Sequence, residues 1–346
     1  MAYTRRSFGL AVTAFLAMAT MLSPLRPAIA DDDDTLTIFT ARHFPADDQL
    51  YQLFTKETGI RTVVVLGKAN ELMQRMQLEG EDSSADIFIA GDAGTLWHAA
   101  QKNLLQPATS AVLTDHVPAG LRDPQNRWVA FSSRARIIVY DRKRVKLREL
   151  STYEALADPK LQSDILIRSA TSLDNQSMLA AMIDAIGADK TEDWVKGLVQ
   201  NFARDPRGAD SDQIQAVVNL EGTIAISDSY YLARMQAGKT AGTLEGLGVF
   251  FPNQHDRGVF INISGGGIAA HAPHRANAAK FLDFMLSPEA QRLITDLNFE
   301  YPVRDDVAPT ATLKAWGTFK ADKLRAAAMA QNNAAAIDLM NQIGWR

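Results

Sequence analysis

Trp128-Val129-Ala130-Phe131-Ser132-Ser133-Arg134-Ala135-Arg136-Ile137-Ile138-Val139-Tyr140 reads as one long strand, and it decides the fold. Before it, strand and helix patterns alternate. Thr35 to Thr40 alternates like a strand, and Asp47 to Thr58 is helical, with Leu50, Tyr51 and Phe54 on one face and Gly59 to end it. Arg61 to Leu66 is an apolar, β-branched strand, Glu71 to Glu79 a helix closed by Gly80, Asp86 to Ala90 a third strand and Ala93 to Lys102 a third helix. Such β-α-β units predict a mainly parallel sheet covered on both faces. The long strand then carries the chain out of this lobe into a second.

The second lobe is predicted to hold a strand at Ile165 to Arg168 and helices at Asn175 to Ile186, Lys190 to Asn201 and Asp212 to Asn219. Further short strands are expected at Gly222 to Ile226 and Gly248 to Pro252. Val259 to Ser264 is the natural return crossing. Helices at Arg275 to Leu286, at Pro288 to Leu297 and beyond Ala311 are expected to pack back on the first lobe. Two lobes joined by two crossings make a hinged cleft. The expected division is residues 31–133 with 260–346 in the N-terminal lobe and 134–259 in the C-terminal lobe.

The N-terminus reads as an export signal. Thr4-Arg5-Arg6-Ser7-Phe8-Gly9-Leu10 is a twin-arginine pattern, an apolar run follows to Leu22, and Ala28-Ile29-Ala30 offers a cleavage site. The run is too short for a spanning helix. The full chain holds 36 Lys and Arg against 40 Asp and Glu, formally −4; residues 1–30 contain Arg5, Arg6 and Arg26 and no acid, so the remainder carries −7. An acidic protein of this kind is a poor partner for nucleic acid. The chain has no cysteine, which excludes disulfides, Fe–S clusters and thiolate zinc sites. Asp31 to Asp34 reads as a solvated start.

Ala225-Ile226-Ser227-Asp228-Ser229-Tyr230-Tyr231-Leu232-Ala233-Arg234 places two adjacent phenols near a strand-to-helix corner, with the helix expected from Leu232. Phenolate is a hard anionic donor, and two together suit a hard, highly charged cation such as Fe3+. The alternative is one ring in the core and the other with its hydroxyl at the surface. Other signals are weaker. Ser264-Gly265-Gly266-Gly267 lacks the Lys-Ser/Thr of a phosphate loop and suits a tight turn or close packing. His271 and His274 are separated by Pro273, which disfavours a zinc pair. No nucleophile–base constellation is visible, so an enzyme is not expected.

The chain resembles the ferric-iron-binding proteins of periplasmic ABC uptake systems, nearest to their cyanobacterial-type branch, over nearly all of its length after the signal. Segments carrying the likeness include Thr40-Ala41-Arg42-His43, Ala85-Asp86-Ile87-Phe88 and Ser132-Ser133-Arg134-Ala135-Arg136. Asp228-Ser229-Tyr230-Tyr231, Phe250-Phe251-Pro252-Asn253-Gln254 and Glu300-Tyr301-Pro302-Val303 add to it. The resemblance implies an α/β, two-lobed type II periplasmic binding protein that acts as a monomer and delivers Fe3+ to an inner-membrane ABC permease.

It also implies a ligand set. Tyr230 and Tyr231 match the paired tyrosine ligands of the family, and His43 matches its N-lobe histidine. Two further positions depart: Phe44 and Asp174 stand where many members carry tyrosine. His43, Asp174, Tyr230 and Tyr231 would supply one nitrogen and three oxygens, leaving one or two positions on an octahedral ion for water or a synergistic anion. Asp174 equally suits a helix N-cap. Arg134 matches an arginine that approaches the metal or its anion, with a salt bridge at the crossing strand as the alternative. Arg42 and Arg234 are further candidates beside the ligands, and Asp92 is expected to cap the next helix. The rival function is a binding protein of the same fold for an oxoanion or organic solute.

Overall fold

The structure is a computed structural model that describes residues 1–2, 34–239 and 241–346. The export segment and Asp31 to Asp33 therefore lie outside the described residues, apart from Met1 and Ala2. The strands are β1 (Thr35–Thr40), β2 (Arg61–Leu66), β3 (Ile87–Ala90), β4 (Leu105–Gln106), β5 (Val129–Asp141), β6 (Ile165–Leu166), β7 (Ile224–Asp228), β8 (Leu247–Phe250), β9 (Ile261–Ala269) and β10 (Tyr301–Pro302). The first helices are α1 (Asp47–Thr58), α2 (Ala69–Glu79), α3 (Ala93–Gln101), α4 (Ala111–His116), α5 (Leu173–Ile186), α6 (Ala188–Gln200), α7 (Asp210–Val218) and α8 (Ser229–Ala237). Then come α9 (Arg275–Met285), α10 (Pro288–Asn298), α11 (Ala311–Ala315), α12 (Ala326–Gln331) and α13 (Asn333–Ile343).

The strands line up as β2-β1-β3-β9-β5-β7-β6. Pairing is parallel at the two ends, β2-β1-β3 and β6-β7, and antiparallel through β9 and β5. The expected mainly parallel sheet is thus a mixed one, because the crossing strands run against the strands they join. One strand serves both ends: Val129 to Ala135 of β5 pairs with β9, whereas Arg136 to Tyr140 pairs with β7. Helices cover the faces, and the inward residues Ile38, Phe39, Phe88, Phe131, Ile137, Ile226 and Ile263 are fully buried.

Local chemistry accounts for most boundaries. Gly59 adopts φ 75° and ends α1 by donating its N–H to Thr55 O. Gly265 to Gly267 form no turn; they lie inside β9, which runs to Ala269 rather than ending near Ser264. A Cβ on Gly267 would stand 2.1 Å from the Arg127 carbonyl oxygen, and one on Gly265 2.4 Å from that of Val129. The triplet therefore permits close backbone approach.

The C-terminus departs from expectation. α12 packs between α3 and α5, and α13 packs on α5 and α6. Trp345 donates its indole N–H to Arg168 O at 2.9 Å and meets the Phe202 ring edge-on at 5.5 Å. These last helices thus join the α5–α6 side instead of folding back wholly on the first lobe. Met340, Ala336 and Trp345 need an apolar surface, and α5 and α6 provide it.

Candidate functional site

β7 delivers its last residue, Asp228, to the N-cap position of α8, so both tyrosines lie in the first turn of that helix rather than ahead of it. Tyr230 is 7 % exposed and Tyr231 is half-buried. Their rings stack at 4.3 Å with planes 29° apart, and a side-chain hydrogen bond joins the pair. Burial, with the charge of Asp228 behind it, raises the Tyr230 phenol well above its ordinary value. Burial raises Tyr231 likewise. Both stay protonated until a cation displaces the protons.

Behind the phenols is a lattice of buried ion pairs. Arg134 Nε donates to Asp228 Oδ2 at 2.9 Å, and its Nη2 donates to Gly91 O at 2.6 Å and to Asp174 Oδ1 at 3.3 Å. Arg168 Nη1 holds the other Asp174 oxygen at 3.0 Å. Arg136, fully buried, donates from Nη1 to Asp210 Oδ2 at 2.7 Å and Asp228 Oδ1 at 3.0 Å, and from Nη2 to Asn175 Oδ1 at 2.7 Å. Burial opposes ionisation of Asp174, but Arg134, Arg136 and Arg168 outweigh it and hold that carboxyl below the usual range. Asp228 is pushed up to about 7, by burial first and by the Asp174 charge second.

Asp174 is therefore not the N-cap. Ser172 occupies that position and Asp174 lies in the first turn of α5, where its carboxylate also complements the helix dipole. Its charge adds to the upward push on both phenols, after burial. Arg134 makes the salt bridges offered as one alternative and also acts on Tyr230. Asp92 does cap α3, accepting from Thr95 N at 2.8 Å.

The β1–α1 turn approaches from the other side. The Phe44 ring lies 5.8 Å from that of Tyr230, and the Arg42 guanidinium sits 4.6 Å over Phe44. Arg42 pairs with Asp47 at 2.5 Å, and its Nη1 stands 3.7 Å from Glu300. His43 itself is at the surface: its side chain is 54 % exposed and Nε2 is 4.0 Å from Asp48. Arg234 lies 5.4 Å from the Tyr230 ring centre. Among the described residues no three His, Asp or Glu side chains gather as a metal site. Arg42, Arg134 and Arg234 each keep a buried N–H without a hydrogen-bond partner, which gives the site unspent donors for an anion.

Sequence reading passed over Arg168, Asp210, Asn175 and Glu300. Glu300 is fully buried and accepts from Ser132 at 2.8 Å and Ser264 at 3.3 Å. A signal existed in β5: two arginines in an otherwise apolar strand must have buried partners. The identity of those partners depends on tertiary contact.

Known proteins share this architecture. The family model for bacterial extracellular solute-binding proteins matches residues 82–324. Iron uptake protein A1 of Synechocystis sp. is 39% identical over 330 residues, 94% of this chain and 91% of that protein. A Trichodesmium protein solved in complex with iron and citrate superposes with TM-score 0.84 at 42% identity, covering 90% of this chain and 100% of that one. The ferric binding protein of Campylobacter jejuni gives TM-score 0.83 at 38% identity over 90% and 100%. The architecture is the two-lobed α/β fold of type II periplasmic binding proteins, and its role is binding rather than catalysis. The chain belongs to the bacterial extracellular solute-binding protein family.

Proposed function

We propose that this chain captures Fe3+ between its lobes in the periplasm and hands it to an inner-membrane ABC permease. The observation that carries the reading is the stacked Tyr230–Tyr231 pair, one ring buried and one half-buried, at a helix N-terminus. Its relatives are iron uptake and ferric-iron-binding proteins. Fe3+ is a hard ion, and two phenolates plus a carboxylate would balance its charge. Tyr230 and Tyr231 are the primary ligands in this proposal, Asp174 a third and His43 a fourth. Ligation by Asp174 would exchange one of its arginine contacts for the ion. Ligation by His43 requires the β1–α1 turn to close inward, which would couple capture to lobe closure. Arg134, Arg42 and Arg234 would receive water or a synergistic anion on their unspent N–H groups.

The lobes are taken as 31–133 with 260–346 and 134–259, with α13 lodged against the second. Export by the twin-arginine route and action as a monomer complete the reading.

The test is a titration of the purified protein with Fe3+, followed at the phenolate-to-iron charge-transfer band. A band at one iron per chain that disappears in Tyr230→Phe supports the proposal. An unchanged spectrum in Tyr230→Phe overturns it. The free guanidinium donors favour one second reading, an oxoanion or organic solute as cargo. Calorimetric binding of such a solute with no phenolate band would establish that reading instead.

A further inference from the structure

Asp92 does more than a helix cap requires. Oδ1 alone caps α3, taking Thr95 N at 2.8 Å and Thr95 Oγ1 at 3.0 Å. Oδ2 faces the other way and accepts from Ser177 Oγ at 2.7 Å and Asn262 Nδ2 at 2.8 Å. Ser177 belongs to α5, on the β6–β7 end of the sheet, whereas Asp92 follows β3 on the β1–β3 end. The bond therefore joins the two ends of the molecule. It is deeply buried, with Asp92 3 % and Ser177 1 % exposed.

The contact closes a circuit around Asp174. Ser177 lies three residues after Asp174, hence on the same face of α5. Asn262 of β9 is the register partner of Arg134 in β5. Arg134 in turn donates both to Asp174 and to the carbonyl of Gly91, the residue before Asp92. The Gly91–Asp92 corner thus touches the α5 turn twice, through Arg134 and directly through Ser177.

We infer that the Gly91–Asp92 corner is a positioning element for cargo capture, gripping α5 through Ser177 so that first-lobe closure and the Asp174 carboxylate move as one. The inference rests on the iron reading above. His43 has no comparable tie, so this corner is the firm first-lobe hold on the site. A contact shifts the balance between open and closed forms only through a difference between them, so the buried Ser177–Asp92 bond across the lobes holds cargo to the extent that opening breaks it.

The experiment uses Ser177→Ala and, as control, Ser110→Ala. Alanine is a good helix residue, and Asp92 keeps its Thr95 and Asn262 bonds in the first variant. Ser110 caps α4 and bonds Asp283, both away from α5. Iron-loaded proteins are mixed with excess EDTA and decay of the phenolate band is followed by stopped flow. Ser177→Ala should keep the band position and one iron per chain and release iron about three- to tenfold faster, the scale of one lost hydrogen bond. Ser110→Ala should release at the wild-type rate. The inference is overturned if Ser177→Ala releases no faster, if its band shifts, or if Ser110→Ala accelerates release equally. A wild-type protein without a band would overturn the iron reading and this inference with it, an outcome distinct from the other three.

Discussion

The two sides of the cleft are built differently. On the α8 side, Tyr230, Tyr231 and Asp174 sit within a lattice of Arg134, Arg136, Arg168, Asp210 and Asp228, nearly all buried. On the β1–α1 side, His43 is half in water with one long contact to Asp48, and the next residue, Phe44, offers no donor atom. The difference teaches how such a site divides its labour. On the buried side the Asp174 carboxylate is fixed by Arg134 and Arg168, and the two phenol rings are fixed by their stack. In the function proposed above, the exposed side closes afterwards and brings His43 with it.

The largest expected effect strikes the lattice. Arg136→Met leaves Asp210 and Asp228 buried without their common partner, which should cost about 3–5 kcal/mol in urea unfolding. A loss below about 1 kcal/mol, the worth of an exposed pair, would show that the lattice is not what holds this side. Next, Tyr230→Phe removes a hard anionic donor while keeping the ring stack. Fe3+ affinity should fall by about 100-fold or more, equivalent to about 2.7 kcal/mol, and competition against citrate would measure it. An affinity within threefold of wild type would break the assignment of the buried side.

Phe44→Tyr places a phenol on the late-closing side, beside Tyr230. Iron should bind about tenfold more tightly, roughly 1.4 kcal/mol, and the charge-transfer band should move as a further phenolate joins. A spectrum identical to wild type would mean that this turn does not reach the ion. The smallest effect is expected for His43→Ala, about threefold in affinity, since a half-exposed donor must first be ordered. A loss as large as that of Tyr230→Phe would erase the contrast between the two sides.

Much of this was legible beforehand because it depends on local pattern. Apolar periodicity located α1 to the residue and most other elements within two or three. The tyrosine pair stood out after a buried strand, but alone it suits a core ring and a surface hydroxyl as well as a cation; the family resemblance is what weighted it towards the cation. Asp174 was harder: the sequence left it between a metal ligand and a helix cap, whereas the structure gives the cap position to Ser172 and pairs Asp174 with Arg134 and Arg168, 40 and 6 residues away. The glycine triplet was open between a tight turn and close packing, and the structure bears out the second. Glycine marks close approach as well as turns, and only the neighbouring backbone of Arg127 and Val129 shows which applies.

By itself the sequence determined the alternation of strand and helix, the single long crossing strand, the absence of thiol chemistry and the phenol pair, because each is written in residue types at short range. Tertiary structure alone decided which carboxylate faces which guanidinium, that Asp92 reaches α5, that α13 settles on α5 and α6, and that His43 stands outside the lattice. Charges find partners through space, and in a dry interior a buried charge that lacks one is costly, so the network is specified by where the fold brings side chains together rather than by their spacing along the chain.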